Sequence, residues 1–257
     1  MPPSTQATRA IRWIAVVSLA INAALIATWA VRHLRARGER PPSRERARAE
    51  LFHALAGAPH QDMHPDMHRD MPQEMVALGD SLTDRGEWWE LLGRPVANRG
   101  IAGDTVEAVR ARLDDVVALA PRIVLLQIGI NDLLAGAAPE ALAVRHAALV
   151  AELRRRLPRA RIVVESLLPV RDDLVARDAA LTAATVQRAN RLLQPAAAAA
   201  GAEWLDAYGP LADPAGQLDP RFSSDGLHLS AAGYQAWARA LAAHLAGADP
   251  TAAPPQQ

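Results

Sequence analysis

From residue 74 onward, short apolar runs alternate with stretches whose apolar residues recur at helical spacing. The runs at 75–79, 95–99, 122–129, 161–168 and 203–207 have the length of strands. Between the second and third, Val106, Val109, Leu113 and Val116 follow the i, i+3, i+7, i+10 spacing of one helix face, and Asp104 with Glu107 suggests a capping box. Pro139 opens a further helix with Leu142, Leu149 and Leu153 along one side, and another is predicted over 178–200. Tyr234, Trp237, Leu241 and Leu245 stripe the last helix, with Ser230 as its N-cap. Repeated strand–helix alternation predicts a parallel five-stranded sheet covered on both faces, a three-layer α/β/α domain over residues 74–247.

The N-terminal third has a different pattern. After a tail of residues 1–12, the chain from Trp13 to Val31 is apolar except for Ser18, Asn22 and Thr28, a length that can span a bilayer. No small-x-small cleavage site follows, so an uncleaved single-pass transmembrane anchor is expected rather than a removed signal peptide. Arg9 and Arg12 before the span fit an export anchor with its domain in the periplasm, but seven arginines between Arg32 and Arg48 pull the other way. Residues 32–73 read as a linker, first Arg-rich and then rich in His and Met. In "HQDMHPDMHRDM", His60, His64 and His68 recur every four residues with Met63, Met67 and Met71. Such ligands suit copper or nickel, but Pro65 and Pro72 interrupt a helix, and a solvated linker is the favoured reading. The tail 248–257 is expected to be disordered.

Charge narrows the chemistry. Basic and acidic residues balance at 28 each, so no strong field draws nucleic acid. Every basic residue among the 28 is arginine, and cysteine is absent. Those absences remove a thiolate nucleophile, a Schiff-base lysine and a Walker lysine, leaving Ser, Thr or a carboxylate for any covalent step.

In a parallel sheet, reactive groups collect at the C-terminal ends of strands. There the chain carries Ser81 in "VALGDSLTDR", Gly103 in "NRGIAGDT", Asn131 in "LLQIGINDL", and Asp225 with His228 in "SSDGLHLS" before the last helix. Alone, Ser81 is best read as a helix cap; the joint occurrence of the four sites changes that. This set resembles the SGNH branch of the GDSL esterase/lipase family over about residues 74–246, with Ser81, Gly103, Asn131 and His228 as its lettered residues. Within that family, "NRGIAGDT" and "IGIND" are most similar to the platelet-activating-factor acetylhydrolase and acetylesterase group.

The resemblance implies a flavodoxin-like hydrolase that needs no metal or organic cofactor. It also implies a Ser81–Asp225–His228 triad, an oxyanion hole from Ser81, Gly103 and Asn131, and a short-acyl ester, acetyl above all, as substrate. The chemistry fits these residue types. A serine hydroxyl needs a base such as His228, Asp225 can hold the imidazole, and preorganised donors must meet the oxyanion. Asp80 and Asp132 are read as local hydrogen-bond organisers, and Arg171, Asp172 and Asp173 as a solvated loop. Trp88 and Trp89 are candidates for an acyl or leaving-group pocket against a core alternative. A thioesterase, lysophospholipase or acyltransferase of the same fold remains open, as does a non-catalytic anchored binding module. The oligomeric state is left open.

Overall fold

The computed structural model describes residues 74–175 and 181–247. The predicted span 13–31, the linker 32–73 with His60, His64 and His68, and the tail 248–257 lie outside the described residues. Among the described residues no helix is long and apolar enough to cross a membrane.

Five strands form: β1 (Met75–Gly79), β2 (Val96–Gly100), β3 (Ile123–Gln127), β4 (Arg161–Glu165) and β5 (Glu203–Leu205). All pair in parallel, in the order β2-β1-β3-β4-β5. Successive side chains of a strand point to opposite faces, and all five positions of β1 and of β3 are buried. Both faces of the sheet are therefore covered. The covering helices are α1 (Ser81–Asp84), α2 (Trp88–Leu92), α3 (Val106–Ala111), α4 (Leu113–Val117), α5 (Ile130–Leu134), α6 (Pro139–Arg156), α7 (Ala183–Ala199) and α8 (Ala231–Gly247). They form two groups: α6 packs against α7 and α3, and α8 packs against α2. The predicted three-layer architecture is thus present, and its strand order reverses between β1 and β3, where such sheets open a crevice at their C-terminal ends.

Several boundaries differ from the sequence pattern. The apolar runs of β3 and β4 outlast the strands, because Ile128, Leu167 and Leu168 leave the sheet yet remain fully buried; an apolar run records burial, and burial does not stop where strand pairing does. The second strand ends at Gly100, so Gly103 lies in the following turn. The last strand is only three residues long. The helix expected through Val106–Val116 breaks at Arg112, whose φ of −116° and ψ of 19° separate α3 from α4. Its N-cap is Thr105, whose hydroxyl accepts from the Ala108 N–H at 3.3 Å. Asp104 is engaged elsewhere, and the capping box does not form. Over 178–200 the helix begins only at Ala183, capped by Thr182. Ser230 does cap α8, its hydroxyl accepting from the Gly233 N–H at 3.4 Å.

The core beneath β1 and β4 is closed by aromatic rings. Trp237 of α8 is fully buried and meets Trp88 edge to face at 4.8 Å. Its indole N–H donates to Glu165 at the end of β4. Burial pushes the Glu165 carboxyl up to about 8, against the opposing effect of the indole hydrogen bond. A carboxyl held neutral in the fold but ionised in the unfolded chain gives stability that is complete below its ordinary value of 4.5 and is lost as pH rises through about 8. Thermal midpoints recorded across this window should fall with pH in the wild type and fall less in Glu165→Gln, whose amide oxygen still accepts from Trp237. Parallel pH profiles for the two proteins would contradict this account.

Candidate active site

At the end of β1 the chain turns sharply. The Asp80 carboxylate accepts from the Leu82 N–H at 3.0 Å, so Asp80 is the N-cap and Ser81 is the first helical residue. The hydroxyl of Ser81 is thereby free of the capping role. With four residues, α1 is a single turn, and a sizeable helix dipole behind Ser81 is not available. The carbonyls at its far end are tied down instead. Tyr234 Oη donates to Leu82 O at 2.8 Å, Trp88 Nε1 to Thr83 O at 2.8 Å, and Asn98 Nδ2 to Thr83, Asp84 and Gly86 carbonyls at 3.0–3.1 Å. These contacts make Trp88 a buried clamp on the Ser81 turn, in line with the core alternative. Its neighbour Trp89 is 51% exposed.

Across the crevice, the Ser81 hydroxyl lies 3.2 Å from His228 Nε2, and His228 Nδ1 lies 2.8 Å from Asp225 Oδ2. With Nδ1–H given to Asp225, Nε2 is left to accept the serine proton. The other Asp225 oxygen accepts the backbone N–H groups of Leu227 at 3.0 Å and His228 at 2.7 Å. Partial burial raises the Asp225 carboxyl, but the His228 ring and these two N–H groups outweigh it and hold it down at about 2. It is therefore an anion throughout the neutral range.

The turn between Asp225 and His228 is pinned from outside. Gly226 has φ of +81°, and a Cβ there would sit 2.7 Å from Leu174 Cβ and 3.1 Å from the Arg171 carbonyl. Its carbonyl accepts from the Arg171 N–H at 2.9 Å. Asp172 accepts from the first N–H of α7 at 2.7 Å, and Arg171 pairs with Asp173 at 3.1 Å and Asp213 at 3.6 Å. The 171–173 segment is a largely exposed loop, as its sequence suggests, and it also braces the histidine turn from outside.

After β2, Gly103 has φ of +86° in a turn closed by the Asp104 N–H on the Ile101 carbonyl at 3.1 Å. The positive φ is the reason for glycine, since a Cβ would meet no protein atom. Asn131 is the second residue of α5, beyond the end of β3, and its Nδ2 donates one hydrogen to the Asp104 carbonyl at 2.8 Å. A carboxamide has two such hydrogens, so one is left. Among the described residues, the N–H groups of Ser81 and Gly103 are given to no protein acceptor. Asp132 is buried and structural: it accepts from the first N–H of α3 at 3.0 Å and pairs with Arg145 at 3.0 Å. Behind Ser81, burial pushes the Asp80 carboxyl up to about 7, with Asp104 and Asp132 adding to the shift and the Leu82 N–H opposing it. A partly neutral Asp80 reduces the repulsion that an oxyanion nearby would otherwise feel. Among the described residues no three His, Cys, Asp or Glu side chains are grouped to hold a metal ion.

The GDSL-like Lipase/Acylhydrolase family matches residues 77–236, which contain all of these groups. The chain belongs to that family. It is accordingly a carboxylic ester hydrolase. Nothing among the curated proteins matches it. Among solved structures, a Streptococcus pneumonia protein named for platelet activating factor is 25% identical, with 88% of this chain and 99% of that chain covered at a TM-score of 0.67. A GDSL-like lipase from Bacteroides thetaiotaomicron is 19% identical, covering 78% and 98% at 0.63. An acetyl-xylooligosaccharide esterase from Geobacillus Stearmophilus is 21% identical, covering 66% and 94% at 0.55. The latter two likenesses are of fold.

Two groups outside the sequence expectation support this GDSL-family site: the Arg171–Leu174 segment under the histidine turn, and Arg112, which bonds Asp104 at 2.7 Å. Only the glycine of "SSDGLHLS" signalled the first, by marking a tight turn. Gly226→Ala should displace the histidine turn and lower kcat/KM for an ester at least about tenfold while the protein stays folded, because misplacement by a fraction of an ångström to an ångström is costly in a preorganised site. Steady-state hydrolysis with circular dichroism as the folding control checks it; unchanged kcat/KM would show that the turn tolerates the extra methyl.

Proposed function

We propose that the protein hydrolyses a short-acyl ester, acetyl above all, through an acyl-enzyme on Ser81. The observation that carries this reading is the continuous relay from Ser81 Oγ to His228 Nε2 at 3.2 Å and from His228 Nδ1 to Asp225 at 2.8 Å. His228 takes the hydroxyl proton as Ser81 Oγ bonds to the ester carbonyl carbon, and Asp225 stabilises the resulting imidazolium. The carbonyl oxygen becomes an oxyanion facing the Ser81 and Gly103 N–H groups and the remaining Asn131 Nδ2 hydrogen. When the C–O bond breaks, the leaving alcohol takes the proton from His228. Water then attacks the acyl-serine with His228 as base, releasing the acid and restoring Ser81.

The acetyl preference is supported by the sequence likeness of "NRGIAGDT" and "IGIND" to the acetylhydrolase group. The fold likeness to an acetyl-xylooligosaccharide esterase agrees with it. The largely apolar segment 13–31 supports a single-pass anchor that holds this esterase at a membrane.

Fluorophosphonate labelling, followed by hydrolysis of p-nitrophenyl esters of increasing acyl length, tests the proposal. Wild type should label and prefer the acetyl ester. Ser81→Ala should not label, and His228→Ala should label and turn over slower by at least about 1,000-fold. Labelling of Ser81→Ala at the wild-type rate would overturn the nucleophile assignment, and a rate that rises with chain length would overturn the acyl preference. Product analysis with a competing alcohol separates hydrolysis from acyl transfer.

A further inference from the structure

Arg112 stands at the break between α3 and α4, largely buried, with a side chain 11% exposed. Its guanidinium reaches three separate pieces of backbone and side chain. Nε donates to Asp104 Oδ2 at 2.7 Å, while Nη2 donates to the Gly79 carbonyl at 3.2 Å and the Arg99 carbonyl at 2.9 Å. Gly79 is the last residue of β1, two before Ser81, and Arg99 lies at the end of β2. Asp104 in turn closes the Gly103 turn through its N–H and accepts Asn131 Nδ2 through its carbonyl. The carriers of all three oxyanion donors therefore meet at one cation within two hydrogen bonds.

From this arrangement we propose that Arg112 is a positioning residue for the oxyanion hole, its guanidinium fixing the Gly103 turn and the Asn131 amide relative to Ser81. The role rests on the acyl-enzyme reading given above. A planar fork with donors in fixed directions can serve a carboxylate and two carbonyls at once, which a flexible ammonium does less well. Burial raises the Asp104 carboxyl, and the Arg112 guanidinium opposes that rise from 2.7 Å away. Arg110, two residues earlier, is the natural control: it pairs with Glu107 and Glu152 on the exposed side of the same helix.

The test compares full-length wild type with Arg112→Ala, Arg112→Lys, Asp104→Asn and Arg110→Ala in single-turnover acylation by p-nitrophenyl acetate, which separates the acylation rate constant from the binding constant. Arg112→Ala and Asp104→Asn should lower the acylation rate constant by about 10- to 100-fold, with ester binding within about twofold of wild type. Arg112→Lys should fall between, and Arg110→Ala should match wild type. If Arg112→Ala does not fold, Arg112→Lys and Asp104→Asn carry the comparison. Folded Arg112 and Asp104 variants that acylate at the wild-type rate would overturn the positioning role alone, as would a loss of rate matched by an equal loss of binding. Wild type that forms no acyl-enzyme would overturn the acyl-enzyme reading, and this role with it.

Discussion

Ser81 and His228 are separated by 147 residues and meet at 3.2 Å. Every layer of the fold contributes to that meeting. The parallel pairing of β1 with β3 sets the crevice, and the buried Trp88–Trp237–Tyr234 cluster locks α8 against the Ser81 turn. Tyr234 shows the coupling most directly, since its ring packs in the core while its hydroxyl holds the Leu82 carbonyl. A core aromatic is thus also a ruler between the helix that follows His228 and the turn that contains Ser81.

The site is assembled from units of very different range. Asp225 and His228 sit three residues apart on one turn and orient each other locally. Gly103 comes from the turn after β2 and Asn131 from the first turn of α5 after β3, and the link from Asn131 to Asp104 bridges 27 residues. Local pairs form from the turn's own geometry, whereas the Gly103–Asn131 side requires three strands to be in register before its groups converge.

That difference in range explains what could be read from the chain. The five residues singled out by chemistry could be read because each terminates a recognisable strand or precedes a recognisable helix, and strand ends are where a parallel sheet gathers polar groups. The both-face burial of the sheet was legible for a similar reason, in runs such as "IVLLQIGI". Asp104 was misread because its spacing to Glu107 matches a local capping pattern, whereas the cap that forms is the adjacent Thr105, and the partner of Asp104, Arg112, is set by the three-dimensional packing of β1 and β2. The core alternative for Trp88 and the largely exposed loop at Arg171–Asp173 were legible, but the carbonyl that Trp88 holds and the turn that Arg171 braces are set by tertiary contacts. The ends of β3 and β4 were overrun because hydrophobicity does not distinguish a strand residue from a buried loop residue such as Leu167.

The two ends of the relay sit in unlike surroundings. The Asp225 side chain is 53% exposed and that of His228 24%, while Ser81 and Asp80 are buried. Opposite unit charges 4 Å apart attract by about 1 kcal/mol in water but about 4 kcal/mol at an effective dielectric constant of 20. In the proposed acyl-enzyme route, the watery end would therefore attenuate the carboxylate's hold on an imidazolium, and the enclosed end would amplify what amide dipoles do for an oxyanion.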